Sequence, residues 1–328
     1  MSQLADAVAD TLDRLSKAAS AMGRTLTLSP DDILLREPLH GFGAPGLWST
    51  NRTCRLVKTR DGWIAVNLAR EEDRDSVPAW TGCALDADPW DVVVEYARTQ
   101  TAQELLACAI ALHLPVAIAG EAKPAEPPIW TGALRRTRRP KALDLSALWA
   151  GPLCGGLLAK AGLDVTRIDN TTRPDPTARV APRFDAWLNG DKHRCEMALD
   201  DPRLTDLIAD ADVLITSGRP HALARKGLSE ARLATLHPGL IWVAVTAHGW
   251  RGDDALRVGF GDDAAAAGGL LAGTREAPMF MGDALADPLT GLEAATGVIE
   301  ALIEGKCGLI DAALAPTAAT YAKRTGLR

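Results

Sequence analysis

Asp287 stands where a carboxylate in this 328-residue chain could serve either as a helix cap or in covalent chemistry. It opens the segment ADPLTGLEAATGVIEALIEG, where an aspartate followed by Pro288 and an apolar pattern of helical spacing reads as an N-cap with proline at the first helical position. A carboxylate there is held ionised by the positive end of the helix dipole and fixed in direction, which suits a nucleophile as well as a cap. Local spacing leaves both roles open. A second candidate is residues 141–169, KALDLSALWAGPLCGGLLAKAGLDVTRID: strand, glycine-bearing loop, helix, then a strand ending in an acid. In such a crossover the backbone N–H groups at the helix start can meet phosphate. Gly151, Gly155 and Gly156 lack the GxGxxG spacing, however, and close packing of the helix on the sheet would equally demand small residues. The histidines are scattered, and no Ser/His/Asp arrangement is readable from spacing. His248 stands out because it follows a predicted strand's C-terminal end, where open α/β sheets place ligands. The run Arg135-Arg136-Thr137-Arg138-Arg139 is either a solvated turn or a phosphate contact.

These residues need a scaffold, and the patterning supplies one. Leu4, Val8, Leu12, Leu15 and Ala19 fall on one helical face that stops at Gly23. Residues 54–68, CRLVKTRDGWIAVNL, surround Asp61-Gly62 and predict a β-hairpin. Thr101 can cap the helical run TAQELLACAIALHL, which must end at Pro115. Residues 120–140 are proline-rich and basic, the composition of a linker, which sets a domain boundary near 138. Beyond it, strands at 141–146, 163–168, 211–216 and 240–246 alternate with helical runs, the pattern of a parallel sheet covered on both faces. The expected architecture is therefore α/β: a Rossmann-like domain over 139–328 preceded by a smaller α+β domain over 1–138.

Composition narrows the function classes. A net charge of −6 argues against nucleic acid as the main partner. Cys54, Cys83, Cys108, Cys154, Cys195 and Cys307 form no CxxC pair and have no histidine at zinc spacing, so no metal site is expected and the thiols read as reduced and mostly buried. The N-terminus carries acids where a signal peptide needs a basic segment, and no apolar stretch reaches membrane-spanning length. The expectation is a cytoplasmic protein without a membrane partner.

The order of segments over roughly 139–328 resembles the CaiB/BaiF family, the class III CoA-transferases that include formyl-CoA transferase. The resemblance rests on LDLSALWAGPLCGGLLAKAGLDVTRID, NGDKHRCEMALD, ADVLITSGRPHALARKGL, HPGLIWVAVTAHGW, GFGDDAAAAGGLLAG and GDALADPLTGLEAATGVIEAL, in the family's order and at its distances. It implies that coenzyme A is bound as substrate and product, and that acyl-CoA and carboxylic acids are the partners of a homodimer. The family's catalytic aspartate falls on Asp287, because the Asp-x-x-Thr-Gly pattern is met there and not at the neighbouring Asp283. Lys192 falls on the lysine of the family's Asn-x-Lys-Arg segment and His248 where some members place a CoA-contacting lysine, so both are expected to face the cofactor crevice. Leu148 and Trp149 fall in the loop after the first strand, beside the expected thioester, and Asn170 where many members carry an arginine over the adenine. Ser217 and Gly218 replace an Asn-Phe pair, and Arg225, with Arg219 and Lys226, could meet the phosphates of CoA. Trp149 is often polar in the family, so the CoA site here is expected to be altered. Residues 51–116 resemble the family's small domain, which elsewhere follows the catalytic aspartate; the domain order looks permuted.

The resemblance implies a carboxylate nucleophile that takes the acyl group from a thioester, then the CoA itself as an aspartyl-CoA thioester, before passing CoA to an acceptor acid. Backbone N–H groups near Gly151 and in the 259–269 glycine-containing loop are candidates to stabilise the oxyanions. The rival acyl-CoA racemase branch needs a histidine and an aspartate as paired acid and base. Its Gly-His-Asp falls on Gly259-Phe260-Gly261, which leaves neither in place. A CoA-binding homologue without turnover, and a nicotinamide-dependent dehydrogenase suggested only by the βαβ unit, are the remaining alternatives.

Overall fold

Seven strands form one sheet, with the apolar, β-branched-rich runs 213–217 and 241–246 at its middle. The computed structural model describes residues 2–34, 43–134 and 139–327. In chain order the strands are β1 (Cys54–Lys58), β2 (Trp63–Asn67), β3 (Val116–Ile118), β4 (Ile129–Ala133), β5 (Lys141–Asp144), β6 (Asp164–Asn170), β7 (His193–Met197), β8 (Val213–Ser217), β9 (Ile241–Thr246), β10 (Leu271–Gly273), β11 (Pro278–Phe280) and β12 (Lys306–Ala313). The large sheet runs β4-β12-β9-β8-β5-β6-β7. All its pairs are parallel except β4 with β12. Counted from β5, this is the 3-2-1-4-5-6 order of dinucleotide-binding sheets with one antiparallel strand added at the edge. The order reverses between β5 and β8, and ligands of such sheets bind outside the carboxyl ends of the strands at that point.

Both faces are covered, as the apolar strands require. The helices Ala150–Lys160, Ala286–Glu304 and Leu314–Arg324 fill one face, with a core that runs from Leu153 and Leu157 to Leu292 and Ala318. On the other face Leu204, Ile208 and Leu233 pack against Leu214 and Trp242. Small residues set the helix spacing: a Cβ on Gly268 would lie 2.4 Å from the Cβ of Ala318 and 2.6 Å from the Ala319 nitrogen.

The smaller unit is the antiparallel sheet β1-β2-β3 with its helices, and the Asp61-Gly62 hairpin forms as expected, in register Cys54↔Asn67 to Lys58↔Trp63. Thr101 caps the Ala102–Ala111 helix, its hydroxyl accepting from the Glu104 N–H. Two segments do not follow the expected cut near 138. The Ser2–Ala21 helix buries Leu4, Val8 and Leu15 in the core of the large sheet, and the proline-rich 120–140 stretch contains β4, which pairs with β12. Prolines in that stretch flank a strand at a sheet edge, where the missing N–H groups do no harm. Residues 135–138, which hold the boundary and most of the basic run, lie outside the described residues.

Among the described residues no helix is long and apolar enough to cross a membrane, and no group of three or more potential ligands could hold a metal. Cys54, Cys154 and Cys307 are buried, whereas Cys83 and Cys195 are half-buried and Cys108 is exposed, so burial of the thiols is less general than their type suggested. Gly268→Ala is expected to lower stability by about 1–3 kcal/mol through overpacking against Ala318. An unchanged urea midpoint for the variant would contradict the helix spacing given above.

Candidate active site

The loop after β5 is anchored by an ion cluster beneath it. Asp144 ends β5 with its side chain wholly buried, and its Oδ2 accepts from Lys192 Nζ at 2.7 Å while Arg167 Nη1 stands 3.6 Å away. Its Oδ1 accepts from the Ser146 N–H and hydroxyl. Burial alone would push this carboxyl up, but Lys192, Arg167 and the Ser146 hydroxyl outweigh burial and hold it below its ordinary value. Lys192 donates also to the Pro152 carbonyl and Asn189 Oδ1, at 2.7 and 2.8 Å, so each of its three N–H groups has an acceptor. The expectation that Lys192 faces the cofactor crevice is therefore corrected: it is a core cation. Gly155 is explained by the same pair, since a Cβ there would lie 2.8 Å from Lys192 Nζ and 2.9 Å from Asp144 Oδ2. Gly151 likewise has Ser146 at 2.3 Å and Gly156 the Leu188 carbonyl at 2.5 Å. The three glycines serve packing.

Arg167, buried on β6, carries the cluster outward to Asp175 at 2.8 Å. The same Asp175 Oδ2 accepts from the Leu148 N–H at 3.0 Å. That bond holds Leu148 in the left-handed region at φ 68°, an uncommon conformation for a branched residue, and leaves its side chain exposed. Across the point of reversal, Ser217 Oγ accepts from the Ala147 N–H at 3.0 Å. Leu148, Ser217 and Gly218 thus meet at the carboxyl ends of β5 and β8. Asn170, at the end of β6, uses its Oδ1 to accept from the Thr172 N–H and hydroxyl. Arg225 is exposed on the Pro220–Arg225 helix, and Lys226 pairs with Asp200 at 2.9 Å. Trp149 is not turned toward the reversal point: it is buried edge-on against Phe184, ring centroids 5.1 Å apart. Its aromatic bulk belongs to the core, which corrects the expectation that it borders the thioester.

Asp287 reaches this region through helix packing. Gly291 lets the Ala286–Glu304 helix approach until a Cβ there would lie 2.6 Å from the Ala150 carbonyl. The N-cap expected at Asp287 is corrected. The cap is Leu285, so Asp287 and Pro288 are the second and third helical residues, because the turn at Ala284 (φ 44°) and the Asp287 N–H to Ala284 carbonyl bond at 2.9 Å start the helix early. Asp287 is half-buried, and its Oδ2 lies 2.2 Å from where a Cβ on Gly261 would stand. Gly261 opens the Gly261–Gly268 helix, so this carboxylate rests on a helix N-terminus that only glycine leaves open. Asp283 is engaged elsewhere, accepting from the Thr50 hydroxyl at 2.8 Å.

His248 lies beneath this turn rather than lining the crevice. It is 6% exposed, its Nε2 is 3.4 Å from a Gly259 Cβ position, and burial, reinforced by Arg257, pulls its imidazole well below the usual value. Asp262 and Asp263 had no role in the sequence reading, although two acids opening an alanine-rich helix were a legible sign. Asp262 Oδ1 accepts from the Ala284 N–H at 2.8 Å, tying the two helix starts together. Asp263 Oδ1 accepts from Asn67 of β2 at 2.9 Å and from the Phe260 N–H at 3.0 Å. Among the described residues no hydrogen-bond partner reaches Asp263 Oδ2. Burial pushes the Asp263 carboxyl up to about 7 against those two bonds.

Residues 141–326 match the family model described as CoA-transferase family III. An acyl-CoA transferase of Fusarium pseudograminearum is 30% identical over 213 residues, 57% of this chain and 47% of the relative. The succinyl-CoA–L-malate CoA-transferase alpha subunit of Chloroflexus aurantiacus is 31% identical over 199 residues, 55% of this chain and 46% of the relative. The chain thus spans about half the length of the curated relatives it matches. The crystal structure of a CAIB/BAIF family protein from Brucella suis superposes with a TM-score of 0.50 at 26% identity, covering 56% of this chain and 54% of that one. A hypothetical protein from Mycobacterium tuberculosis shares the fold, with a TM-score of 0.51 at 24% identity over 60% and 58% of the two chains.

Two outcomes check the electrostatics. Lys192→Met strands the Asp144 charge and is expected to cost about 3–5 kcal/mol in chemical unfolding. A carboxyl with a raised folded-state pKa stabilises fully below its unfolded value and loses that contribution as pH rises through the folded one. Asp263 should therefore weaken the fold progressively between about pH 4 and pH 7, by up to about 1.4 kcal/mol per unit. Asp263→Asn should flatten that part of the profile; an identical pH slope in both proteins would contradict it.

Proposed function

The chain belongs to CoA-transferase family III, and from that premise we propose that it moves coenzyme A between an acyl-CoA thioester and a carboxylic acid, with Asp287 as the nucleophile. The observation that carries the reading is the Asp287 carboxylate resting on the start of the Gly261–Gly268 helix, one turn before the Gly291 contact with the helix that follows β5. The positive end of that helix suits a carboxylate, and the space that Gly261 leaves is the space in which the Asp287 oxygen stands.

In this reading an Asp287 oxygen attacks the thioester carbonyl carbon, the C–S bond breaks, and CoA leaves as the thiolate. The thiolate then attacks the aspartyl carbonyl of the mixed anhydride, releasing the first acid as its carboxylate and leaving an aspartyl-CoA thioester. An acceptor carboxylate attacks that carbonyl and expels the thiolate, which closes the cycle on the acceptor's acyl carbon and regenerates Asp287. No proton is gained or lost, which suits a site whose neighbouring acids are occupied with structure. Leu148, Ser217 and Gly218 border the path of the CoA, Asn170 stands at its adenine end and Arg225 meets phosphate; the acting assembly is a homodimer.

A second reading, CoA binding without turnover, is favoured by one observation. Trp149 is turned into the core, so no polar side chain from that position faces the thioester. The two readings part in a single experiment. Incubation with acyl-CoA followed by peptide mass analysis should find an acyl or CoA adduct on Asp287, and Asp287→Asn should abolish it and lower exchange by at least about 10³-fold. CoA binding with no adduct and no exchange across a panel of acids would leave only the second reading.

A further inference from the structure

His113 occupies a backbone position that glycine fills best. It follows the Ala102–Ala111 helix at φ 57°, and the Leu114 N–H closes back onto the Ala109 carbonyl at 2.9 Å, a left-handed helix ending. A histidine there bears strain that a glycine would not, and such strain persists where the side chain has work to do. Its ring reaches across to the large sheet: His113 Nδ1 lies 2.9 Å from Arg219 Nη1, and Arg219 follows Gly218 at the end of β8. A guanidinium has no acceptor, so His113 Nδ1 must accept and the ring must be neutral. From the other side Arg70 donates to the His113 carbonyl at 3.4 Å and lies over the Phe260 ring, 5.6 Å from its centroid, while pairing with Asp73. A basic chain thus runs from the turn under Asp287 to the reversal point between β5 and β8.

Counter-charge on this line of cations is confined to Arg70, which feels Asp73, Glu72 and Asp263. No carboxylate among the described residues pairs with Arg219, Arg225 or Arg173. Burial and the neighbouring Arg70, Arg225 and Arg173 pull the Arg219 guanidinium down, and burial with Arg219, His221 and Arg70 pulls the His113 imidazole down. Like charges gathered where ligands of such sheets bind call for an anion to relieve them.

We infer that His113 and Arg219 form one polyanion site shared between the small and large sheets of the same chain, and that His113 takes up a proton when the phosphates of the ligand arrive. The identity of that ligand as CoA rests on the function proposed above; the anion site does not. The ring is neutral while it accepts from Arg219, and an incoming phosphate oxygen offers an acceptor to both groups, so that Nδ1 can be protonated and the two donors share the anion.

Calorimetry on the full chain tests this with three probes: CoA, adenosine 3′,5′-bisphosphate and pantetheine. Wild-type protein should bind the first two with net proton uptake near neutral pH, seen as an enthalpy that varies with the buffer's ionisation heat. His113→Gly removes the backbone strain, so its thermal midpoint should equal or exceed the wild type's. It should nevertheless bind CoA and the bisphosphate about tenfold or more weakly, without proton uptake, and leave pantetheine unaffected. Arg219→Gln should weaken the same two probes. Unchanged CoA affinity and proton uptake in His113→Gly would overturn the anion site and leave the CoA reading standing. Bisphosphate binding without CoA binding would overturn the CoA reading and leave the anion site standing, and wild-type binding of neither would overturn both.

Discussion

The rest of the structure depends on the buried carboxylate of Asp144 and the two cations that compensate it. Arg167 reaches it from β6 and Lys192 from the connection before β7, and Lys192 also takes up the Pro152 carbonyl inside the Ala150–Lys160 helix. Such a cluster stabilises only when complete, because an unpaired ion in a dry interior is far less favourable than an apolar side chain. Here it is complete, and its geometry passes outward through Ser146, Asp175 and the strained Leu148 to the loop at the point of strand reversal. The ions serve to fix where the backbone of that loop stands.

Around this anchor the site is assembled from close backbone approaches. Gly261 faces Asp287, Gly291 faces the Ala150 carbonyl and Gly268 faces Ala318, each at a distance a methyl group would violate. Alanine and glycine carry little side-chain entropy to lose, so the walls are ordered before any ligand binds. The acids beside Asp287 hold these walls: Asp262 bonds the Ala284 turn and Asp263 joins the helix start to Asn67. Asp287, half-buried, rests on this same helix start.

The strands β5, β6, β8 and β9 and the hairpin were legible because apolar patterning and turn chemistry are local, whereas β12 was not read from the sequence. β7, with the pattern HRCEM, and the short β3 carry no such signal and are strands because a neighbouring strand pairs with them. β4 was masked by the prolines before it. Asp287 could be singled out from the order of segments, yet its contact with Gly261 could not, since that contact joins two helix starts that no spacing relates. Lys192 was misplaced for a related reason: its match to the family's Asn-x-Lys-Arg segment gives its position along the chain, but not that Asn189, Pro152 and Asp144 surround it. Trp149 followed the same rule, its neighbour Phe184 being 35 positions away in the chain.

The Asn67–Asp263 bond joins the small sheet to the helix under the candidate nucleophile, and the segment after β3 adds the Gly120 and Ala122 N–H groups on the Ala266 and Ala267 carbonyls at 2.9 Å. Because both sheets lie on one polypeptide, this docking is a unimolecular event with an effective concentration set by the connecting chain. Dilution cannot separate the small sheet from the helix it steadies, so the seating of this turn does not depend on protein concentration.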